Sequence, residues 1–288
     1  GANITGIRLQ GSNSQVVGNV IGTNANGSAA RANTTGIFLQ SGTANSVIGN
    51  ATAPNSIRHS LIAGIATTSG ANSGNRWIHN RIFDNAGLGI DLGNDGLTLN
   101  DVDDADVGAN GLQNFPVLSS AERLPGSVRL YGTLDVPAGT TNQPYTIGVY
   151  ASANCDPSGH GEAERLIGAT VVNLTQTSAE NFGFDLATTD PLDPGTQITT
   201  TATAPDGSSS EFSACMPVTD PPVGLVVTSA FDTDGSSCGA TCTLRQAINA
   251  ANANPGPDEI TFAIQGAGLH TITLTSSLPT VTEALMVD

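Results

Sequence analysis

The sequence predicts an all-β protein: coils of a β-solenoid, then an antiparallel sandwich, then a short start of a second solenoid carrying one helix near 243–253. Three observations carry this prediction. A motif recurs at about 30-residue spacing in the first third, strand-length segments alternate after Ser119, and a helical period occurs beyond residue 242. The expected domains are 1–118, 119–222 and 223–288.

The repeat comes first. Thr5-Gly6-Ile7-Arg8-Leu9-Gln10 returns as Thr35-Gly36-Ile37-Phe38-Leu39-Gln40, and Val17-Gly18-Asn19 returns as Ile48-Gly49-Asn50. Looser copies stand at Gly64-Ile65 and Gly89-Ile90-Asp91-Leu92, and Asn80-Arg81-Ile82 echoes Asn19-Val20-Ile21. A unit this short cannot bury its apolar side alone, so the copies stack and share a core. Residues 5 to 92 lack a 3.6-residue period, which disfavours leucine-rich repeats and favours a parallel β-helix. Asn19, Asn50 and Asn80 are expected at successive turns, hydrogen-bonded from coil to coil. The segments 18–24, 80–93 and Gly111-Leu112-Gln113-Asn114-Phe115-Pro116-Val117-Leu118 resemble the closing coils of bacterial right-handed parallel β-helix proteins. That resemblance implies right-handed coils.

From Ser119 the pattern alternates through Val128-Leu130, Tyr145-Ile147-Val149, Leu166, Val171, Phe182-Phe184-Leu186 and Ile198-Thr200-Ala202. Turns at Pro137-Ala138-Gly139, Asp193-Pro194-Gly195 and Pro205-Asp206-Gly207 punctuate it, as in an antiparallel sandwich of immunoglobulin-like topology. Cys155 and Cys215 fall inside this domain and are expected to pair, pinning a loop to the last strand, a closure worth about 4 kcal/mol in the chain-entropy view.

Asp220-Pro221-Pro222 reads as a stiff linker. A strand at Val226-Val227-Thr228-Ser229 and the pair Cys238 and Cys242 follow. Thr243 and Gln246 then form a capping box, Leu244, Ala247, Ile248 and Ala251 share a helical face, and Asn254-Pro255-Gly256 ends the helix. Strands are expected again at Ile260-Phe262-Ile264 and His270-Thr271-Ile272-Thr273-Leu274. Cys242-Thr243-Leu244-Arg245-Gln246-Ala247 resembles the Cys-Ser-Leu-Arg-Glu-Ala motif of the CSLREA module, departing conservatively at two positions. In that family the module begins a β-helix, so the resemblance implies a cap on a first coil. With Gly1-Ala2-Asn3 at the start, the chain reads as an excerpt or processed product whose two ends both fall within β-helices.

Composition narrows the function. All nine basic residues are Arg, so lysine Schiff-base and P-loop chemistry are excluded. A net charge of −16 opposes binding to nucleic acid or anionic membrane, and no apolar run is long enough to span a bilayer. Four Cys without zinc-site spacing favour disulfides and an extracellular or cell-surface location. Cys238 and Cys242 read as a structural clip or a redox pair.

Asp91, Asp95, Asp101, Asp103, Asp104 and Asp106 crowd one stretch. Asp101, Asp103, Asp104 and Asp106 read either as ligands for calcium, the one cofactor expected, or as a solvated acidic loop. Catalysis on the coils would need paired carboxylates, and residues 1–90 contain Asp84 alone, near His79; the expectation is no enzyme. His59, His79, His160 and His270 lack ligand spacing. Gly207-Ser208-Ser209-Ser210 reads as a hairpin turn, and Asn3, Asn26, Asn33, Asn50 and Asn173 each begin an Asn-x-Ser/Thr triplet. The expected function is a structural repeat of a surface filament or adhesin. Its partners are copies of itself, joined head to tail or in a tandem-repeat chain. The alternative is a glycan-binding or polysaccharide-cleaving module, with Trp77 as the aromatic to test.

Overall fold

The computed structural model describes residues 4–70, 73–137, 142–174, 179–221, 224–254, 258–282 and 284–288. Several expected features lie outside the described residues: Gly1-Ala2-Asn3 with its glycan triplet, Ala138-Gly139, Pro222 and Pro255-Gly256. The chain forms two compact units, Gly1–Ala121 with Pro125–Val218, and Glu122–Leu124 with Thr219–Asp288.

The first unit begins with a parallel β-helix. One sheet contains β1 (Ile7–Leu9), β4 (Asn33–Leu39), β7 (Ser60–Thr67) and β10 (Ile90–Asp91) in that order. A second contains β2 (Gln15–Val16), β5 (Val47–Ile48) and β8 (Arg76–Trp77), and a third β3 (Val20–Ile21), β6 (Ser56–Arg58) and β9 (Arg81–Phe83). The register matches the sequence repeat: Ile7 pairs with Ile37, Ile37 with Ile65 and Ile65 with Ile90. Each aliphatic row is a column of stacked side chains, and Ile37, Ile65, Ile48, Ile57 and Leu39 are fully buried. Burial of each contributes about 1.5–3 kcal/mol.

The glycine of the repeated Thr-Gly-Ile has a packing cause. A Cβ on Gly36 would lie 2.4 Å from the Ile57 side chain and 2.5 Å from the Gly64 carbonyl oxygen, and one on Gly64 would meet Ile82 and the Gly89 carbonyl at 2.4 and 2.6 Å. Glycine lets one wall of the coil press directly on the isoleucine column of another.

The remainder of this unit is antiparallel. β11 (Val117–Leu124), β12 (Ser127–Leu134) and β15 (Glu180–Ala187) form one sheet. β14 (Arg165–Leu174), β13 (Gln143–Ser152), β16 (Gln197–Thr203) and β17 (Met216–Pro217) form the other. Both sheets contribute to one apolar core that includes Val128, Leu130, Ile147, Val149, Phe182 and Ile198. Cys155 and Cys215 are bonded, closing 60 residues of chain.

The second unit carries a parallel sheet of β18 (Gly224–Val227), β19 (Asp258–Phe262) and β20 (Leu285–Val287), with helix α1 (Leu244–Ala253) before β19. The capping box of Thr243 and Gln246 is present, and Ala247, Ile248 and Ala251 pack on Leu225, Val227 and Ile260. Cys238 and Cys242 are bonded to each other. The strand expected at 270–274 does not form. Those residues have no paired neighbour, and Ile272 alone among them packs on the core.

Candidate functional site

The coil stack ends against the antiparallel part of its own unit, and three corners of the last coil are closed by side chains that imitate a further coil. The imitation is clearest beside the asparagine ladder. Asn19 donates from its backbone N–H and its side-chain amide to Asn55 Oδ1, both at 3.0 Å, and Asn55 donates likewise to Asn80 Oδ1 at 3.3 and 2.9 Å. The ladder therefore runs through Asn55 and not Asn50, which corrects the sequence expectation. Asn50 caps a turn by accepting from Thr52 and Ala53.

At a neighbouring corner Ser60 N donates to Asn85 Oδ1 at 3.0 Å, and Glu162 supplies the next acceptor in that row. Its Oε1 accepts from Asn85 N at 2.9 Å and Asn85 Nδ2 at 3.0 Å. Beside it, Ile82 and Ala163 exchange backbone hydrogen bonds at 2.8 and 2.6 Å. At another corner, Asn110 accepts from Asn75 N at 3.1 Å and donates to Asn75 O at 2.6 Å and Ser209 O at 3.0 Å. Trp77 donates its indole N–H to Ser210 O at 2.9 Å, and Phe212 packs over Gly89 and, edge to face, against Tyr150. Glu211 joins Leu92 N and Thr98 N through its two oxygens, at 2.7 and 3.1 Å.

These plugging carboxylates are costly to ionise. Burial pushes Glu211 up to about 8 and Glu162 up to about 7, against the hydrogen bonds that favour their charged forms; Asp91 and Asp95 raise the first further, and Asp156 the second. Buried Asp91, raised chiefly by burial, accepts from Asp95 N and Gly96 N.

Of the four aspartates expected as metal ligands, three converge. Carboxylate oxygens of Asp101, Asp104 and Asp106 lie within 4.8 Å of one another, and Asp103 is outside that group. Asp103 instead donates its backbone N–H to Asp135 Oδ1 at 3.2 Å. Asp101 accepts from Ala105 N, Asp104 Oδ1 accepts from Asn114 N at 2.7 Å, and Asp106 Oδ1 is buried without a hydrogen-bond partner. Burial, then repulsion from Asp106, Asp101 and Asp135, pushes Asp104 up to about 7. Three hard oxygens so placed either share protons or hold a divalent cation such as calcium. Asp104 and Asp106 line part of a cleft of about 430 Å³ that also touches Asn110, Gln143 and Asp206.

The remaining sequence candidates separate. Trp77 is 1% exposed, so it offers no surface platform for sugar. His79 is held below the usual imidazole range by burial and then by Arg76, and its Nδ1 has no hydrogen-bond partner, so it forms no relay with Asp84 through that atom. Ser208, Ser209 and Ser210, read as a hairpin turn, are buried parts of the seal, although Thr203 and Ser209 do bridge across a turn. Glu162 and Glu211 escaped the sequence reading because they lie 77 and 119 residues from their partners. The one local signal was a Glu within the Ser-rich run 208–213.

In the second unit, Arg245 of the motif at 242–247 forms a two-pronged ion pair with Asp232, at 2.8 and 2.9 Å, and donates to Ser277 O and Ser276 O at 2.7 and 2.8 Å. Asp232 also accepts from Thr275 N and Oγ1. The Arg245 guanidinium, with Thr275, holds that carboxyl well below the usual carboxylate range. The two side chains are 9% and 1% exposed, so the pair fastens α1 to the turn at 275–277 from inside.

Fold and seal together define a parallel β-helix whose stack is closed at one end by antiparallel sheets. No protein-family model matches the chain, and no curated protein does either. Among the described residues no helix is long and apolar enough to cross a membrane.

Proposed function

We propose that this chain is a structural, non-enzymatic module of an extracellular or cell-surface array. In this reading it combines the closing coils of a right-handed β-helix, an immunoglobulin-like sandwich and a CSLREA-type start of a further β-helix. One observation carries the reading. Among the described residues both units are built on parallel sheets, with β1, β4, β7 and β10 in order in the first and β18, β19 and β20 in the second, an architecture in which coils bury their apolar rows by stacking on one another.

The immunoglobulin-like assignment is supported by connectivity: of seven strands, the first, second and fifth share one sheet, and the fourth, third, sixth and seventh the other. The CSLREA assignment is supported by the work of Arg245 and by the position of 242–247 at the head of α1. Two disulfides and an acidic surface suit an oxidising exterior. A calcium ion at Asp101, Asp104 and Asp106 belongs to the same reading as a stiffening element. Immunogold labelling of intact source cells tests location: surface label is expected, and label only after lysis overturns the extracellular assignment. A covalent tandem of two copies tests the array. A raised melting temperature relative to the single chain is expected, and unchanged melting contradicts it.

A further inference from the structure

We propose that the outer face of the third coil sheet, around Phe83, binds a carboxylated polysaccharide through the guanidinium groups of Arg58 and Arg81. This goes beyond the structural-module reading, which stands or falls by its own tests.

Arginines within the coils differ from those outside them. Arg123, Arg129, Arg165 and Arg245, all outside the coils, pair with Asp220, Asp185, Asp190 and Asp232. Arg8, Arg31, Arg58, Arg76 and Arg81 form no ion pair among the described residues, although the chain has 25 Asp and Glu side chains. Residues 4–90 carry these five against Asp84 alone, a net +4 within a chain of net −16. Cations left unpaired in so acidic a protein are available to an external anion.

The strand register gathers two of them. Arg58 lies opposite Phe83 in the pairing of β6 with β9, and Arg81 stands two residues before Phe83, so the three side chains share one face of the sheet. The guanidinium carbons of Arg58 and Arg81 lie 5.1 and 4.9 Å from the centroid of the Phe83 ring, and Phe83 is 8% exposed. Each guanidinium is also anchored at one corner: Arg58 Nη2 donates to Gly27 O and Arg81 Nε to Glu164 O, both at 2.8 Å. Arg58 Nη1 and both Nη atoms of Arg81 make no hydrogen bond among the described residues. The ring and the anchoring bond hold each guanidinium in place before a ligand arrives, so little side-chain entropy is lost when a carboxylate takes the free Nη groups. Nearby carboxylates do not compete: Glu162 is held by Asn85, Glu164 accepts from Ala153 N, and exposed Asp84 pairs with neither arginine.

This geometry selects the class of ligand. With the Phe83 ring covered, a sugar does not stack on it, and recognition falls to the anionic groups of the ligand. The net charge of −16 repels a dense polyanion, so one carboxylate per sugar suits the surface better than a phosphate on every residue. Arg58 and Arg81 stand on adjacent coils, whose strands are spaced by about 4.8 Å. That spacing favours carboxylates recurring at short intervals along a stiff chain, as in a polyuronate. An acidic peptide fits less well, because peptides add to sheet edges through backbone groups, and this surface is a sheet face that offers side chains alone.

Affinity electrophoresis of the 288-residue chain tests this, comparing gels with and without polygalacturonate. Retardation by polygalacturonate is expected, falling as salt rises, with none by neutral dextran. Arg58→Gln combined with Arg81→Gln is expected to weaken binding about tenfold or more. Arg81→Lys, which keeps the charge and loses the two-pronged fork, is expected to weaken it about fivefold. Arg129→Gln removes an arginine that is already paired and is expected to bind as wild type. Melting midpoints show which variants are folded, and where the double variant is not, Arg81→Lys carries the test alone. A wild-type chain that polygalacturonate does not retard overturns the proposal, as does a folded double variant or an Arg81→Lys chain that binds like wild type. Retardation by polyglutamate as strong as by polygalacturonate assigns the face to an acidic protein and overturns the glycan assignment.

Discussion

Asn55 is a single residue on which three coils depend. It accepts two hydrogen bonds from Asn19 and donates to Asn80 Oδ1 and Val16 O. Its replacement by Leu in Asn55→Leu leaves buried amides and a carbonyl unpaired. The expected loss is on the order of 3 kcal/mol in urea unfolding. Asn50→Leu, outside the ladder, is expected to cost much less. Glu162 gives a pH-dependent counterpart. Its folded pKa of about 7 lies above the ordinary carboxylate value, so the folded state retains a proton that the unfolded chain has released. Its contribution is whole below about pH 4.5 and is lost as pH rises toward 7, with a slope of at most about 1.4 kcal/mol per pH unit. Gln at this position keeps the oxygen that accepts from Asn85 and cannot ionise. Glu162→Gln is therefore expected to match wild type near pH 5 and to melt higher at pH 8; equal melting of the two at pH 8 contradicts the cause assigned here. Glu211→Gln is expected to behave differently, because Glu211 uses both oxygens as acceptors and Gln sets an N–H donor against Leu92 or Thr98.

At the scale of elements, legibility followed the distance between partners. The row of Ile7, Ile37, Ile65 and Ile90 was readable because a Gly-Ile pair recurs in each coil, at spacings of 30, 28 and 25 residues. The middle rung of the Asn ladder was hidden because the segment after β3 folds back on itself, with Asn24 N donating to Ala29 O and Thr23 bridging Ala30. That excursion separates Asn19 from Asn55 by 36 residues, against 25 between Asn55 and Asn80, so a search at one fixed period lands on Asn50. Helix α1 was legible because capping is local in sequence. The Arg245–Asp232 clamp was not, since it spans 13 residues and ends on carbonyls of 276 and 277. Asp232→Asn is expected to lower the unfolding transition of the second unit and leave that of the first unit in place, read by hydrogen exchange at β19 and β7. The acidic loop is equally testable. Millimolar calcium is expected to raise the melting midpoint relative to chelator, and Asp104→Asn to abolish the rise. No shift in the wild type ends the calcium reading.

At the scale of the whole molecule, the chain's net charge hides a division that composition alone conceals: basic coils within an acidic protein. The seal was invisible in sequence for a related reason, because Glu162, Ser210 and Phe212 are far in sequence from the coil residues they touch. The coil stack should therefore be firm where it is sealed and loose where its edge is bare. Hydrogen exchange of the backbone amides at low protein concentration measures this directly. Protection is expected to rise along the stack, least at β1, β2 and β3 and greatest from β7 to β10. Exchange at β9 and β10 as fast as at β1 would show that the antiparallel sheets do not close the stack.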